Sequence, residues 1–421
     1  MTIHDPNVSV QRETASPLNT LSRALGFGNG DQERWWNDTA PLLHGLLVAT
    51  GYDVHSQYQH LLFHHRHVLP ALGPYPEAQP DSIVPGGCPY ELSVNFQQGK
   101  AVVRFDFAPA GDSKQNQFSP GVAINRLLAD LSDSGHEIDT RLYYHFTNAL
   151  ALTKRDIAFL QKNPTPHSST QNILSWDLKG ATNDLKMYFF PLVKADAVQV
   201  PSGQLVLDAI RKADDGCYDS PALGLVESFL RDRKLLSNVC VLGWDCVPDN
   251  GRVKIYLADP DVSIAKIRDL WTLGGQLSNA TVTKGLELLL ELWDCLGLQE
   301  GVRSTTELGQ PEQEDGRSGL TFSYELRPGD RYPEPKIYFP LVGENDSIVS
   351  QGLARFVARL GWTELDSYPS ALADVFAGVD MSISTRLISS LSFAYTEEKG
   401  PYMTAYYYSS KQYPWEGARP V

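Results

Sequence analysis

Three short stretches of this sequence repeat one pattern: Lys186-Met187-Tyr188, Lys254-Ile255-Tyr256 and Lys336-Ile337-Tyr338. In a β-strand, residues two apart point to the same face, so each lysine and its tyrosine share a face while Met or Ile takes the other. Arg252 extends the second stretch on that face, Arg104 holds the matching place in an earlier extended run, and Tyr402, Thr404 and Tyr406 share a face of a later one. Taken singly, a Lys-x-Tyr is a solvated sheet face. Three copies with two arginines are different, because cations buried together cost several kcal/mol each unless an anion joins them. A diphosphate suits both residue types, since it accepts many charge-assisted hydrogen bonds. The tyrosines serve the other half of such a reaction. A desolvated ring facing a cation is worth roughly 2 kcal/mol, and several would shield an allylic cation from water while the diphosphate departs. The pattern points to transfer of a short isoprenoid from its diphosphate.

Glu91 stands at the start of another extended run, in Pro89-Tyr90-Glu91-Leu92-Ser93. A carboxylate there can accept a hydrogen bond from an indole N–H and make the ring more nucleophilic; the plain alternative is a surface glutamate. Asp106 shares the face of Arg104 and is expected either to pair with it or to bind the aromatic substrate. Other chemistries lack their residues. Asp214-Asp215 has no third carboxylate to complete a magnesium-diphosphate motif, and no P-loop, zinc-protease or dinucleotide-binding fingerprint occurs. His60 and His64 have helical spacing, which suits packing within a long helix better than a metal site. The expectation is a reaction with no metal or other cofactor.

These residues need a scaffold. Apolar residues at helical spacing over 32–49 and 57–69 predict two helices, the second stopped by Pro70 and Gly73-Pro74. Five pairs of extended runs follow: 91–96 with 101–107, 173–178 with 185–190, 239–246 with 252–257, 320–326 with 336–339, and 391–395 with 402–408. Turn residues lie between partners, including Gly99, Gly180, the stretch Pro248-Asp249-Asn250-Gly251 and Gly400. Helical runs separate the pairs. Hairpins make antiparallel sheet, and ten such strands leave costly edges unless the sheet closes. The fold expected is α+β: a ten-stranded antiparallel barrel with a solvent-filled lumen, ringed by helices. Helices outside place the polar faces inside, and a barrel this wide holds a ligand. One domain over 17–415 is expected, with short tails at 1–16 and 416–421.

The chain has 421 residues and a formal net charge of −14. That acidity argues against nucleic acid or an anionic membrane as partner, leaving small molecules. No apolar run reaches the roughly 18 residues of a membrane span, and the polar start of the chain carries no signal-peptide pattern. The five irregularly spaced cysteines suit reduced thiols in a cytoplasmic protein. Monomer and homodimer both remain open.

From about Pro17 to Trp415 the chain resembles the fungal dimethylallyltryptophan synthase family of indole prenyltransferases. The resemblance rests on Trp35-Trp36, Gln57-Tyr58-Gln59, Pro70-Ala71-Leu72-Gly73-Pro74-Tyr75-Pro76, Tyr90-Glu91-Leu92-Ser93, Asp177-Leu178-Lys179, Arg252-Val253-Lys254-Ile255-Tyr256-Leu257, Leu270-Trp271-Thr272-Leu273-Gly274-Gly275, Glu334-Pro335-Lys336-Ile337-Tyr338 and Gly343-Glu344-Asn345-Asp346. It implies the ten-stranded barrel and a metal-independent transfer from dimethylallyl diphosphate. It makes Glu91 the indole N–H acceptor and assigns diphosphate to Arg104, Lys186, Arg252, Lys254 and Lys336. Tyr188, Tyr256, Tyr338, Tyr402 and Tyr406 would help to bind it and shield the cation, while Ile83, Asp106 and Ile173 would line the aromatic-substrate pocket. Members that use free tryptophan carry a lysine where this chain has Ile173, and arginines that align with Cys240 and Thr396. A tryptophan-containing cyclic dipeptide is therefore the expected acceptor. A non-peptide aromatic such as a bis-indolyl quinone or xanthone is the alternative, and a non-catalytic ligand-carrying barrel the remote one.

Overall fold

The structure is a computed structural model describing residues 16–75, 88–110, 121–165, 171–179, 182–248, 251–303, 319–362 and 367–409. Ile83, Gly180, Asp249-Asn250, Trp415 and the tails apart from Ser16 lie outside the described residues. Among the described residues, no helix is long and apolar enough to cross a membrane.

The strands are β1 (Tyr90–Gln97), β2 (Lys100–Phe107), β3 (Asn172–Lys179), β4 (Thr182–Phe189), β5 (Val239–Asp245), β6 (Val253–Asp259), two-residue strands β7 (Asp261–Val262) and β8 (Gly301–Val302), β9 (Leu320–Leu326), β10 (Glu334–Pro340), β11 (Ile388–Thr396) and β12 (Gly400–Tyr407). Ten of them close a barrel in the order β1-β12-β11-β10-β9-β6-β5-β4-β3-β2, while β7 and β8 pair separately. Every pairing is antiparallel. The five hairpins are those anticipated from the sequence. Four seams join successive hairpins, β2 with β3, β4 with β5, β6 with β9 and β10 with β11, and a fifth joins the first strand to the last, β1 with β12, where Leu92 lies opposite Tyr407.

Alternation decides which side chains face the lumen. Leu92, Phe105, Trp176, Met187, Ile255, Phe322, Ile337, Phe393 and Met403 are buried on the outer face, in the core shared with the helices. Trp176 stacks on Phe107 there, with centroids 5.7 Å apart. Burying each such side chain is worth about 1.5–3 kcal/mol, and this layer fixes the register, since a one-residue slip would turn it into the lumen. The helix Ala280–Leu296 starts on the Asn279 side-chain cap and comes close enough that a Cβ on Gly285 would sit 2.7 Å from Trp271. Trp271 packs on Phe322 and Phe393 of the barrel wall.

His60 and His64 lie in that helical layer. The helix Val54–Phe63 passes into a π-helical turn, His64–Val68. The His64 Nε2 is 2.9 Å from Thr39 Oγ1. Burial lowers His60 to about 4 and His64 to about 3, so both rings are neutral near pH 7. Among the described residues, no group of three or more His, Cys, Asp or Glu could hold a metal ion.

Candidate active site

The lumen-facing positions of successive strands meet in rungs. Glu91 lies opposite Asp106, Asp106 opposite Ser175, Ser175 opposite Lys186, and Lys186 opposite Asp245. A second rung runs from Tyr406 through Ser93 and Arg104 to Asp177. Cross-strand pairing thus assembles side chains that are far apart in sequence.

All five anticipated cations come together, but with carboxylates the sequence reading left without a role. Arg104 Nε is 2.6 Å from Asp177 Oδ1, and Lys186 also bonds Asp177. Arg252 Nε and Lys254 Nζ each lie 2.6 Å from Asp245, and Arg252 Nη1 is 2.8 Å from Glu325. The claim that five cations require a bound anion is therefore corrected: Asp177, Asp245 and Glu325 offset part of the charge. Burial alone would keep these carboxyls protonated, yet the neighbouring Arg and Lys hold all three below the usual range, Glu325 at about 2.

Five cations against three carboxylates leave two positive charges in excess when all are ionised. Lys336 is the buried, unpaired end of that imbalance. Among the described residues it makes no ion pair; its Nζ sits 5.2 Å from the Tyr338 ring centroid and 4.9 Å from that of Tyr402. Burial lowers it to about 7, with Glu325 opposing and Arg104, Lys254 and Lys186 adding to the fall. Lys186 is lowered to about 8, again chiefly by burial. A diphosphate placed among them would favour their charged forms. If the protonated lysines bind a diphosphate, its affinity should fall as pH rises through the lowered values. The KM for a prenyl diphosphate should rise up to tenfold per pH unit between pH 7 and 9; a flat profile would show that neither lysine titrates there.

The tyrosines form a continuous lining. Ring centroids are 6.0 Å apart for Tyr188 and Tyr256, 5.7 Å for Tyr256 and Tyr338, and 6.1 Å for Tyr338 and Tyr406. The Tyr338 hydroxyl donates to Tyr256 Oη at 3.3 Å, and Tyr402 donates to Glu325 at 3.4 Å. Gly243, unremarked in the sequence, makes room for them: a Cβ there would stand 2.9 Å from the Tyr188 ring and 3.3 Å from Tyr256. Only its place opposite Tyr188 and Lys254 reveals that use.

Around Glu91, the Ser389 hydroxyl donates to Glu91 Oε1 at 3.1 Å. Burial, and then the charge of Asp106, push the Glu91 carboxyl well above the usual range, which favours its neutral form. Asp106 does not pair with Arg104, which turns across to Asp177; residues two apart on one strand run parallel, whereas the cross-strand neighbour meets the guanidinium head-on. Ile173 is buried on the lumen face opposite Tyr188. A bulge between Val239 and Val241 sets Val241, rather than Cys240, opposite Tyr256. Thr396 ends β11, its hydroxyl accepting from the Lys399 N–H. None of these positions carries positive charge.

Known proteins align with this arrangement over most of the chain. The family model described as tryptophan dimethylallyltransferase matches residues 31–371. Prenyltransferase malE of Malbranchea aurantiaca is 38% identical, covering 94% of this chain and 92% of its own, and echinulin prenyltransferase 1 of Aspergillus ruber is 37% identical, covering 95% and 98%. The crystal structure of NotF in complex with brevianamide F and DMSPP superposes with a TM-score of 0.85 at 33% identity, covering 94% of this chain and all of that one. AnaPT from Neosartorya fischeri gives 0.82 at 33% identity over 94% of this chain and 98% of that one.

Proposed function

The chain belongs to the tryptophan dimethylallyltransferase family and is an aromatic prenyltransferase, and from that premise we propose that it transfers a dimethylallyl group from dimethylallyl diphosphate to the indole of a tryptophan-containing cyclic dipeptide, with no metal required. The observation that carries this is the lumen itself: five cations with positive charge in excess, lined by tyrosines, beside a carboxyl pair. A ligand carrier has no use for such a cluster.

The prenyl C–O bond breaks with its electron pair leaving on the diphosphate, whose growing charge meets Arg104, Lys186, Arg252, Lys254 and Lys336. Tyr188, Tyr256, Tyr338, Tyr402 and Tyr406 enclose the allylic cation and exclude water. Glu91 accepts the indole N–H and orients the ring, an indole carbon attacks, and loss of a proton restores aromaticity. The likeness to NotF, solved with brevianamide F and DMSPP, supports an indole acceptor with a dimethylallyl-sized donor. The neutral residues Ile173, Val241 and Thr396 support an acceptor without a free carboxylate.

Incubation with dimethylallyl diphosphate and a panel of indoles, read by mass spectrometry, tests the reaction. Turnover should survive excess chelator, because the Lys and Arg cluster does what magnesium would otherwise do for the diphosphate. Loss in chelator with recovery in magnesium would overturn that part. Lys186→Ala or Lys254→Ala should weaken diphosphate binding by roughly 1.5–3 kcal/mol, the worth of a charged hydrogen bond, and affect the indole much less. Unchanged affinity would remove these side chains from the diphosphate site.

A further inference from the structure

Asp106 is buried on the lumen face of β2, and its Oδ1 has no hydrogen-bond partner. The Ser175 hydroxyl serves this carboxyl from β3. A buried carboxylate oxygen with nothing donating to it is uncommon in a finished interior, and its place says what is missing. Along the rung Glu91, Asp106, Ser175, Lys186, strands are spaced about 4.8 Å apart. Asp106 therefore stands one strand from the group that holds the indole N–H and two from the group that holds the diphosphate. The attacked carbon, bonded to the incoming prenyl group, must lie in that interval.

We propose that Asp106 is the base of the reaction, its carboxylate taking the proton from the prenylated indole carbon while Glu91 beside it holds the N–H; this rests on the indole-prenylation reading above. The balance is complete. The indole π electrons form the C–C bond as the C–O pair leaves with diphosphate. The C–H pair of the attacked carbon then returns to the ring, and the proton passes to the Asp106 carboxylate. Every carboxylate near the cations is already engaged with Arg or Lys, so Asp177, Asp245 and Glu325 are poor bases. Asp106 is raised to about 6, mainly by burial, with Ser175, Lys186 and Arg104 favouring its ionised form and Asp177 opposing it. Glu91 and Tyr90 on β1, Tyr188 on β4 and Tyr406 on β12 also feel its charge, and all four are raised well above their usual range. Near pH 7 Asp106 is thus largely ionised, and its charge together with burial favours the neutral form of Glu91, whose carbonyl oxygen can accept the N–H.

Single-turnover prenylation by the full chain tests this. Asp106→Asn should slow the chemical step roughly a hundredfold or more and lack the acidic limb expected of the parent. With an acceptor deuterated on its indole carbons, the variant should develop a primary isotope effect, since proton loss becomes limiting. Ser175→Ala, which removes a donor to the carboxylate, should move the acidic limb of the otherwise active enzyme to higher pH. A normal rate in Asp106→Asn, or an unmoved limb in Ser175→Ala, overturns the assignment. Inorganic diphosphate should bind Asp106→Asn as it binds the parent; its loss together with the rate would make Asp106 structural and equally overturn the proposal. If the parent prenylates no indole at all, the functional reading fails first; if it does and Asp106→Asn is unimpaired, only the base fails.

Discussion

Glu91→Ala should lower kcat/KM for an indole acceptor by roughly a hundredfold or more, and Glu91→Gln should lose much less. Ser389 holds the Glu91 carboxyl in place, and burial, with the charge of Asp106 across the strand pair, favours its neutral form. What Glu91 offers the N–H is therefore a fixed carbonyl oxygen, which alanine lacks and glutamine retains. The KM for dimethylallyl diphosphate should hardly move in either variant, because Glu91 makes no ion pair with the cationic cluster. Steady-state kinetics on the two variants decide the matter. Equal, large losses would show that Glu91 works through its charge, and normal rates in both would remove it from the acceptor site.

A tryptophan-containing cyclic dipeptide should exceed free tryptophan in kcat/KM by at least about a hundredfold. Free tryptophan brings a carboxylate and an ammonium, and a charge entering an enclosed lumen without a partner costs several kcal/mol in lost hydration. Ile173, Val241 and Thr396 offer no positive charge, and the cations that exist are engaged with Asp177, Asp245 and Glu325 or stand over tyrosines at the diphosphate end. A diketopiperazine presents only neutral amides. Since each 1.4 kcal/mol is tenfold, even a partly relieved penalty of about 3 kcal/mol separates the substrates by two orders of magnitude. Equal use of free tryptophan would overturn the acceptor while leaving the prenyl transfer intact.

Much of this site was legible because strand alternation is strict. Lys-x-Tyr on three hairpins, Arg104, Arg252 and the pair Tyr402 and Tyr406 each declare a face, and the face is all that their role requires. Partnership was not legible, because it depends on register between strands. Asp177 sat in plain view in Asp177-Leu178-Lys179, yet its meeting with Arg104 follows only from the alignment of β2 with β3. Register also excluded the Arg104 pairing that was one of two roles expected for Asp106, hid Glu325 behind the seam between successive hairpins, and left Gly243 unremarked. The bulge in β5 sets Val241, not Cys240, opposite Tyr256, which the family alignment that pointed to Cys240 does not show.

The seam between β1 and β12 also sets the order in which this enzyme can come into being. Arg104, on the first hairpin, donates to Thr404 on the last, and Tyr402 and Tyr406 complete the aromatic wall from that same final hairpin. During synthesis at about 5–20 residues per second, β1 waits while some three hundred residues emerge before its partner exists. Throughout that interval both ends of the growing sheet are bare edges of the kind that invite pairing with another chain. Nascent chains of this protein should therefore lean on chaperones late in translation. Proteolytic loss of the last hairpin should yield an aggregating, wholly inactive product rather than a weakened one, because the vessel that excludes water is sealed by the final strand to arrive.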